Sequence, residues 1–330
     1  MAKAGFVLVG RMFLGLRYSI DLRAATRCWV AGLCAVALGA GADGTNWMGS
    51  VDGAVALSLL SIPGTHNSAA LHEPFPGTAK CQLLSLSAQL DAGVRFLDMR
   101  CRHMNDAFAL YHGSVDQHQR FDEALSTVYA FLENNPTECV VMGVTGVRGG
   151  SNTTRTFEET FDAYVAKNPD KWRLSATIPT LGEARGKIVL LRRFCATALP
   201  KGLAATGWRN NTTFSTGRLR VQDCYRVSDN DAKWGRVANL FEESSKAGPD
   251  TLFINYTSGT RSGWFGIPSV TAVSDEINRR LETGLPADFP GWHGVVVMDF
   301  ANATRTALVY ENNARSARPH PQAPPTLDPL

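Results

Sequence analysis

Eight short runs of apolar, often β-branched residues are spaced along most of the chain. Several are nearly continuous in apolar residues, which is typical of parallel strands buried on both faces. Most are separated by segments with helical periodicity, such as 121–136, where Leu125, Val128 and Leu132 share one face. The runs cover 56–62, 94–99, 108–112, 139–144, 187–194, 219–225, 251–257 and 294–300, and the helical segments cover 86–93, 121–136, 156–169, 234–248 and 274–284.

Strands that alternate with helices predict an α/β fold, and eight of them predict a distorted, single-domain (β/α)₈ barrel of the TIM type. We expect distortion at 101–107, which is too short for a helix, and at 195–217, which is rich in Gly, Asn and Thr. A doubly wound sheet is the alternative, but no Gly-rich phosphate loop follows the first run. With 330 residues, 44% of them hydrophobic and 19% charged, the chain is long enough for one large barrel.

The two ends of the chain differ in composition from this central part. Residues 1–42 place scattered Lys and Arg ahead of "CWVAGLCAVALGA", a short apolar run that ends in small residues. This pattern is typical of a secretory signal peptide or another N-terminal targeting segment, and a signal anchor is the alternative. The Pro-rich residues 313–330 are predicted to be a disordered tail, which leaves 43–312 for the barrel.

Five N-x-S/T sequons agree with secretion and predict an extracellular glycoprotein. Asn255 lies within a predicted strand, so we expect it to carry no glycan. The sequons begin at Asn152, Asn210, Asn211, Asn255 and Asn302.

Charge and cysteine content argue against several classes of partner. A formal net charge of +3 is too small to predict nucleic-acid binding. Of seven cysteines, Cys28 and Cys34 fall in the N-terminal segment, and the other five show no metal-site spacing. Because five is odd, at least one thiol is free or intermolecular, and small buried hydrophobes are favoured over a disulfide framework.

Polar and charged residues collect where the predicted strands end. The carboxyl ends of barrel strands converge on one face, where TIM barrels build their active sites, so these side chains are expected to share one pocket. In chain order they are His66, Asn67, Asp98, Arg100, His112, Thr145, Arg193, Asp223, Tyr225 and Asp299.

Two histidines, an arginine and a carboxylate are the groups that phosphodiester transfer needs. One neutral histidine takes the proton of an attacking hydroxyl, and a second, protonated histidine gives a proton to the leaving oxygen. A guanidinium between them stabilises the phosphoryl oxygens, and a carboxylate behind the base fixes its tautomer. A lone histidine is usually structural, but His66 and His112 accompanied by Arg100 and Asp299 favour catalysis. The other histidines, among them His293, match no catalytic role and are predicted to lie on the surface.

Six ordered motifs, found across residues 45–310, resemble phosphatidylinositol-specific phospholipase C of the X-domain, bacterial or secreted microbial type. They are "LSIPGTHNS", "GVRFLDMRCR", "LYHGSV", "LGEARGKIVLLRRF", "VQDCY" and "VVVMDF". The resemblance implies a distorted (β/α)₈ barrel and a cyclising reaction. In that reaction the inositol 2-hydroxyl attacks the phosphorus, diacylglycerol leaves, and a 1,2-cyclic inositol phosphate forms.

The resemblance also implies roles for individual residues. His66 matches the general base, Asp299 its carboxylate partner, and His112 the general acid. Arg100 matches the phosphate-binding arginine. Asp98 is included with the substrate-binding residues from its place at the strand end, where it either positions Arg100 or satisfies a buried amide. The substrate-binding positions implied in addition are Asn67, Arg193, Asp223 and Tyr225, the last of which is expected to stack on the inositol ring.

Two residues depart from the bacterial pattern. Asn67 stands where an aspartate often supports the acid histidine, so we expect the pKa of His112 to be lowered and the pH optimum to shift downward. Thr145 stands where some bacterial members have an inositol-binding lysine, which affects selectivity more than the reaction. The resemblance places Arg100 where an acid holds calcium in the eukaryotic relatives, and we therefore predict no metal and no cofactor. A calcium site is the alternative, because the calcium-dependent relatives also have asparagine at the position of Asn67.

The expected partner is a membrane surface that contains phosphatidylinositol, bound by a monomer. Trp264 and Phe265, in a glycine-flanked loop after the seventh strand, are candidates for the membrane interface. Packing within the domain is the competing interpretation for that loop. A catalytically inactive phosphoinositide-binding barrel is the alternative function, and a metal-dependent glycerophosphodiester phosphodiesterase is disfavoured because too few carboxylates are available as ligands.

Overall fold

The computed structural model describes residues 44–263 and 266–315. The predicted signal peptide, Trp264, Phe265 and most of the predicted tail lie outside these residues. The tail was predicted to start at 313, whereas Asn312–Arg315 is helical. No helix in the described ranges is both long and apolar enough to cross a bilayer.

Fourteen strands and eight α-helices occur in the described residues. The strands are β1 Ser61–Thr65, β2 Phe96–Met104, β3 Ala107–His112, β4 Val115–Arg120, β5 Val140–Ser151, β6 Trp172–Arg173, β7 Ile188–Arg192, β8 Leu203–Ala204, β9 Thr213–Thr216, β10 Leu219–Gln222, β11 Leu252–Tyr256, β12 Arg261–Ser262, β13 Pro268–Ser269 and β14 Gly294–Met298. The helices are α1 Leu86–Asp91, α2 Phe121–Asn134, α3 Phe157–Lys167, α4 Leu181–Ala184, α5 Asn230–Ser245, α6 Thr271–Asp288, α7 Ala303–Tyr310 and α8 Asn312–Arg315.

Seven of the eight predicted strands form the parallel wall of a barrel, in the order β7-β5-β2-β1-β14-β11-β10. The predicted third strand was wrong as a wall strand, because β3 pairs antiparallel with β2 and β4 as a hairpin. The connection 101–107 is too short to carry a parallel crossover, which needs about a dozen residues. The distorted α/β barrel predicted from the sequence is confirmed.

The barrel wall is open between β7 and β10. In this described part of the chain β8 pairs with β7 and β9 pairs with β10, but no pairing joins the two sides. The Gly- and Thr-rich segment 195–217 fills this gap. The opening therefore falls where the sequence lacks a crossover helix.

Alternation along each wall strand explains the continuous apolar runs. In β14, Val295 and Val297 belong to the cluster inside the barrel, whereas Val296 and Met298 belong to the cluster shared with the helices. Both faces are buried, so neither set of positions can be polar. The predicted helices are confirmed as α1, α2, α3, α5 and α6 within a few residues at each end.

A buried ion pair closes the opposite end of the barrel from the polar strand ends. The Arg95 guanidinium donates to Glu138 Oε2 at 2.8 Å, and both side chains are fully buried. It also donates to four backbone carbonyls, those of Gly44, Thr45, Leu90 and Val94. Arg95 therefore has a structural role.

Candidate active site

The segment "SIPGTHNS" places His66 at the end of a fully buried strand. A Cβ on Gly64 would lie 2.9 Å from Phe96 Cβ, so only glycine lets β1 approach β2 this closely. The His66 amide donates to Met298 O at 2.9 Å, and the Gln82 side chain donates to His66 O at 2.9 Å. The backbone of His66 is thus held from two sides.

A carboxylate orients the His66 ring. Nδ1 lies 2.8 Å from Asp299 Oδ1, and Asp299 is buried. The Asn67 amide lies 3.4 Å from Nε2, as a donor to that nitrogen would. Asn67 has φ of 44°, in the left-handed region that Asn tolerates better than most residues. This pattern protonates Nδ1 and leaves the Nε2 lone pair available for a proton.

His112 ends the β3 hairpin and faces His66, with the ring centroids 6.0 Å apart. Its Nδ1 donates to Ala79 O at 2.6 Å, which turns Nε2 toward the cavity. Burial, the neighbouring His66 and the Arg100 charge lower the pKa of His112 to about 4. The sequence also predicted that the pKa of His112 is lowered, but it attributed this to Asn67. In the structure burial is the largest cause, and the Asn67 amide contacts His66.

Asp98 connects two arginines beneath the cavity. Its Oδ2 accepts from Arg100 Nη2 at 3.1 Å, and its Oδ1 lies 3.6 Å from Arg193 Nη1. Burial alone would raise the pKa of Asp98, but the two guanidinium charges outweigh it and hold the pKa at about 2. Burial likewise opposes the charge of Arg100, yet Asp98 raises the Arg100 pKa further above its usual range. Both groups stay charged at neutral pH.

The inositol-binding candidates lie on the open side of the barrel, after β7 and β10. Trp208 connects them, since its Nε1 donates to Asp223 Oδ2 at 2.9 Å and the Arg193 guanidinium lies 3.7 Å above its ring. Tyr225 donates its hydroxyl proton to Asn210 Oδ1 at 2.7 Å. These contacts fix the orientation of the side chains before any ligand binds.

One cavity of about 590 Å³ collects most of the predicted site. Asn67, Asp98 and Asp299 are buried behind it. Trp264 and Phe265 lie outside the described residues. The predicted residues that line the cavity are His66, Arg100, His112, Thr145, Arg193, Asp223 and Tyr225.

Sequence reasoning missed three residues of this region. Gln82 is buried and holds His66, Trp208 organises the inositol side, and Tyr256 ends β11 with its ring 6.1 Å from that of His66. Of the three, only Tyr256 could have been found from the sequence, because it ends a wall strand.

His293, predicted to lie on the surface, is instead 1% exposed and contacts Ser61 and Phe289.

Asn255 is buried in β11, and its amide donates to Val237 O at 2.9 Å. A glycan at this sequon would not fit the fold, as expected from the sequence.

All five cysteines in the described residues are free thiols, and Cys195 alone among them is exposed. The expectation of small buried residues in place of a disulfide framework is thus confirmed for the others.

Comparison with known proteins places this geometry in a family. The model of the family "Phosphatidylinositol-specific phospholipase C, X domain" matches residues 57–194. A 1-phosphatidylinositol phosphodiesterase of Staphylococcus aureus strain Newman is 31% identical over 279 residues, which cover 78% of this chain and 89% of the relative.

Solved structures agree with this match. A pentafluoro-Phe-substituted phosphatidylinositol-specific phospholipase C from Staphylococcus aureus superimposes with a TM-score of 0.75 at 27% identity, over 82% of this chain and 98% of that one. The enzyme from Listeria monocytogenes shares the fold, with a TM-score of 0.67 at 23% identity over 82% and 98% of the two chains. The chain belongs to the phosphatidylinositol-specific phospholipase C family.

Proposed function

We propose that this protein cleaves phosphatidylinositol, free or in a glycosylphosphatidylinositol anchor, to diacylglycerol and a cyclic inositol phosphate. The observation that carries the proposal is the facing pair of imidazoles, 6.0 Å apart, beside Arg100 in one cavity. An inactive phosphoinositide-binding barrel would need neither the facing pair nor a carboxylate hydrogen-bonded to one ring.

In the proposed mechanism His66 is the general base. Asp299 keeps the proton on Nδ1, so Nε2 takes the proton of the inositol 2-hydroxyl as its oxygen bonds to phosphorus. The bond from phosphorus to the glycerol oxygen breaks, and His112 gives that oxygen a proton through Nε2. Because the pKa of His112 is lowered to about 4, Nε2 must first take up this proton, which favours activity at low pH. The products are diacylglycerol and the 1,2-cyclic phosphate, and the two imidazoles exchange protonation states.

Arg100 is proposed to bind the phosphoryl oxygens. Its salt bridge to Asp98 fixes the guanidinium in place, so its charge is oriented before the transition state forms. A preorganised guanidinium supplies the charge stabilisation for which other barrels use a divalent cation. We predict activity in the presence of a chelator.

Arg193, Asp223 and Tyr225 are proposed to bind the inositol hydroxyls, with Tyr225 stacked on the ring. Arg193 lines the cavity, where its guanidinium can donate to the oxygens of ring hydroxyls. Thr145, in place of a lysine, presents a neutral side chain to the cavity.

Two loops at the cavity rim support a membrane-facing surface. Val270 donates to Gly77 O at 2.9 Å, which joins the loop after β1 to the loop that carries Trp264 and Phe265. In the described part of these loops Phe75 is 71% exposed and Ile267 is 54% exposed. Exposed apolar side chains around a lipid-binding cavity favour insertion into the headgroup region.

Secretion through the signal peptide, glycosylation, a monomeric state and the absence of nucleic-acid binding remain predictions from the sequence. They are compatible with an enzyme that meets its substrate at an outer membrane surface. No described residue bears on the cleavage of the N-terminal segment.

The test is phosphorus NMR of phosphatidylinositol vesicles incubated with the full chain in excess chelator. A cyclic phosphodiester signal is expected, and it should disappear in a His66→Ala variant. A signal that requires added calcium would refute the role of Arg100. No signal under either condition, together with vesicle binding, would favour the inactive barrel.

A further inference from the structure

A buried thiol lies directly behind the two histidines. Cys81 is fully buried, and its Sγ is 3.6 Å from His112 Nδ1. The ligand atoms of Cys81, His66 and Asp299 all lie within 4.8 Å of one another. Phosphodiester transfer by two histidines has no use for a thiol at this position.

These groups match the preferences of one class of ion. Thiolate and imidazole favour zinc and similar soft cations, whereas calcium and magnesium favour oxygen ligands. In tetrahedral zinc sites, bonds of about 2.3 Å to sulfur and about 2.0 Å to nitrogen set those two atoms roughly 3.5 Å apart. The observed separation of Cys81 Sγ and His112 Nδ1 is 3.6 Å.

The charges of these groups also suit a divalent cation. A Cys81 thiolate and the Asp299 carboxylate would together neutralise two positive charges, and Asp98, which is shared with Arg193, offsets part of the charge of nearby Arg100. His66 and His112 line the open cavity and the fully buried thiol lies behind them, so the two rings would have to move apart to admit an ion. His112 would have to turn its Nδ1 away from Ala79 O, which it now contacts at 2.6 Å.

We propose that Cys81, His66 and Asp299, with His112 as the fourth ligand, form an inhibitory binding site for zinc or a similar thiophilic cation. An ion there would occupy ring nitrogens of both histidines and separate His66 from Asp299. Neither proton transfer could then proceed, although the enzyme needs no metal for activity. The inhibitory effect rests on the proposed function, whereas the binding does not.

Cobalt(II) titration followed by absorbance tests the binding without any assay of activity. With one equivalent of cobalt, the full chain should develop a near-ultraviolet thiolate-to-cobalt band and the visible bands of tetrahedral cobalt, and zinc should displace both. Cys81→Ala should lose the near-ultraviolet band and bind zinc at least about 100-fold more weakly, because a ligand matters more than an outer-shell partner.

Cys195→Ala is the matched control, because Cys195 is the exposed thiol of the described residues. It should keep both bands. Loss of the bands in Cys195→Ala, or their persistence in Cys81→Ala, would overturn the proposal. Cys81→Ser is the second variant if thermal unfolding shows that Cys81→Ala is not folded.

Inhibition is measured as the ratio of activity in micromolar zinc to activity in chelator, so each variant is its own reference. The ratio should be far below one for the wild type and for Cys195→Ala, and near one for Cys81→Ala. Equal ratios in all three would refute an inhibitory site. Bands that depend on Cys81 in a chain without any phosphodiesterase activity would uphold the binding site and refute the proposed function instead.

Discussion

The substitution Asp299→Asn tests whether the buried carboxylate controls the His66 tautomer. Asp299 accepts from His66 Nδ1 through Oδ1 at 2.8 Å and from the Gly259 amide through Oδ2 at 3.4 Å. An asparagine has one acceptor oxygen for these two donors. In one orientation the asparagine NH₂ group faces the Gly259 N–H, so two donors oppose each other. In the other orientation the NH₂ group faces His66 Nδ1, and the ring proton must move to Nε2, which can then accept no proton from the substrate.

The two contacts give the expected size of the effect. Two opposed buried donors cost about 1–3 kcal/mol, which corresponds to a loss of the productive tautomer of roughly 5-fold to roughly 150-fold. Replacing a charge-assisted hydrogen bond to the imidazolium with a neutral one costs about 1 kcal/mol more, or about another factor of five. We therefore expect kcat to fall between roughly 30-fold and roughly 900-fold.

The assay is the initial rate of cyclic phosphate formation from a soluble short-chain phosphatidylinositol in chelator, with folding checked by circular dichroism. Asp250→Asn is the matched control, because Asp250 is 91% exposed and is not among the residues that line the cavity. It should leave kcat unchanged. An Asp299→Asn enzyme that is folded and within threefold of the wild-type kcat would refute the tautomer argument.

Three further substitutions test the acid, the buried ion pair and the buried histidine. His112→Ala should abolish cleavage of phosphatidylinositol but keep part of the rate on a substrate with a good leaving group, and equal loss on both would contradict the general-acid role. Arg95→Leu should lower the free energy of unfolding, measured in urea, by about 3–5 kcal/mol, because it leaves the buried Glu138 charge without a partner. The control Arg218→Ala removes the exposed ion pair with Asp250 and should lower it by less than about 1 kcal/mol. Equal losses in the two variants would refute the role of the buried pair. Burial lowers the pKa of His293 from 6.5 to about 4. Between these two pH values only the unfolded chain binds a proton at this histidine. The free energy of unfolding should therefore fall by up to about 3 kcal/mol as the pH drops from 6.5 to 4. His293→Gln should remove that part of the pH dependence, and an unchanged slope would refute it.

The sequence was most informative where a local pattern has one structural solution. Apolar runs buried on both faces predicted the wall strands, seven of eight correctly, and the carboxyl ends of such strands share one face, so ten polar residues could be assigned to one region before any coordinates. His293 was misassigned because nothing local distinguishes a buried histidine from an exposed one. It is buried by Ser61 and Phe289, and Ser61 is 232 positions away.

The order of the strands and the identity of the polar strand ends were properties of the sequence alone, since hydrophobic period and turn residues act over a few positions. The pairing of β3 as a hairpin, the gap between β7 and β10, and the approach of Cys81 to His112 were decided by tertiary structure. Each depends on contacts between segments whose distance along the chain carries no information about their distance in space. The catalytic proposal follows from the first set of features and the inhibitory site from the second.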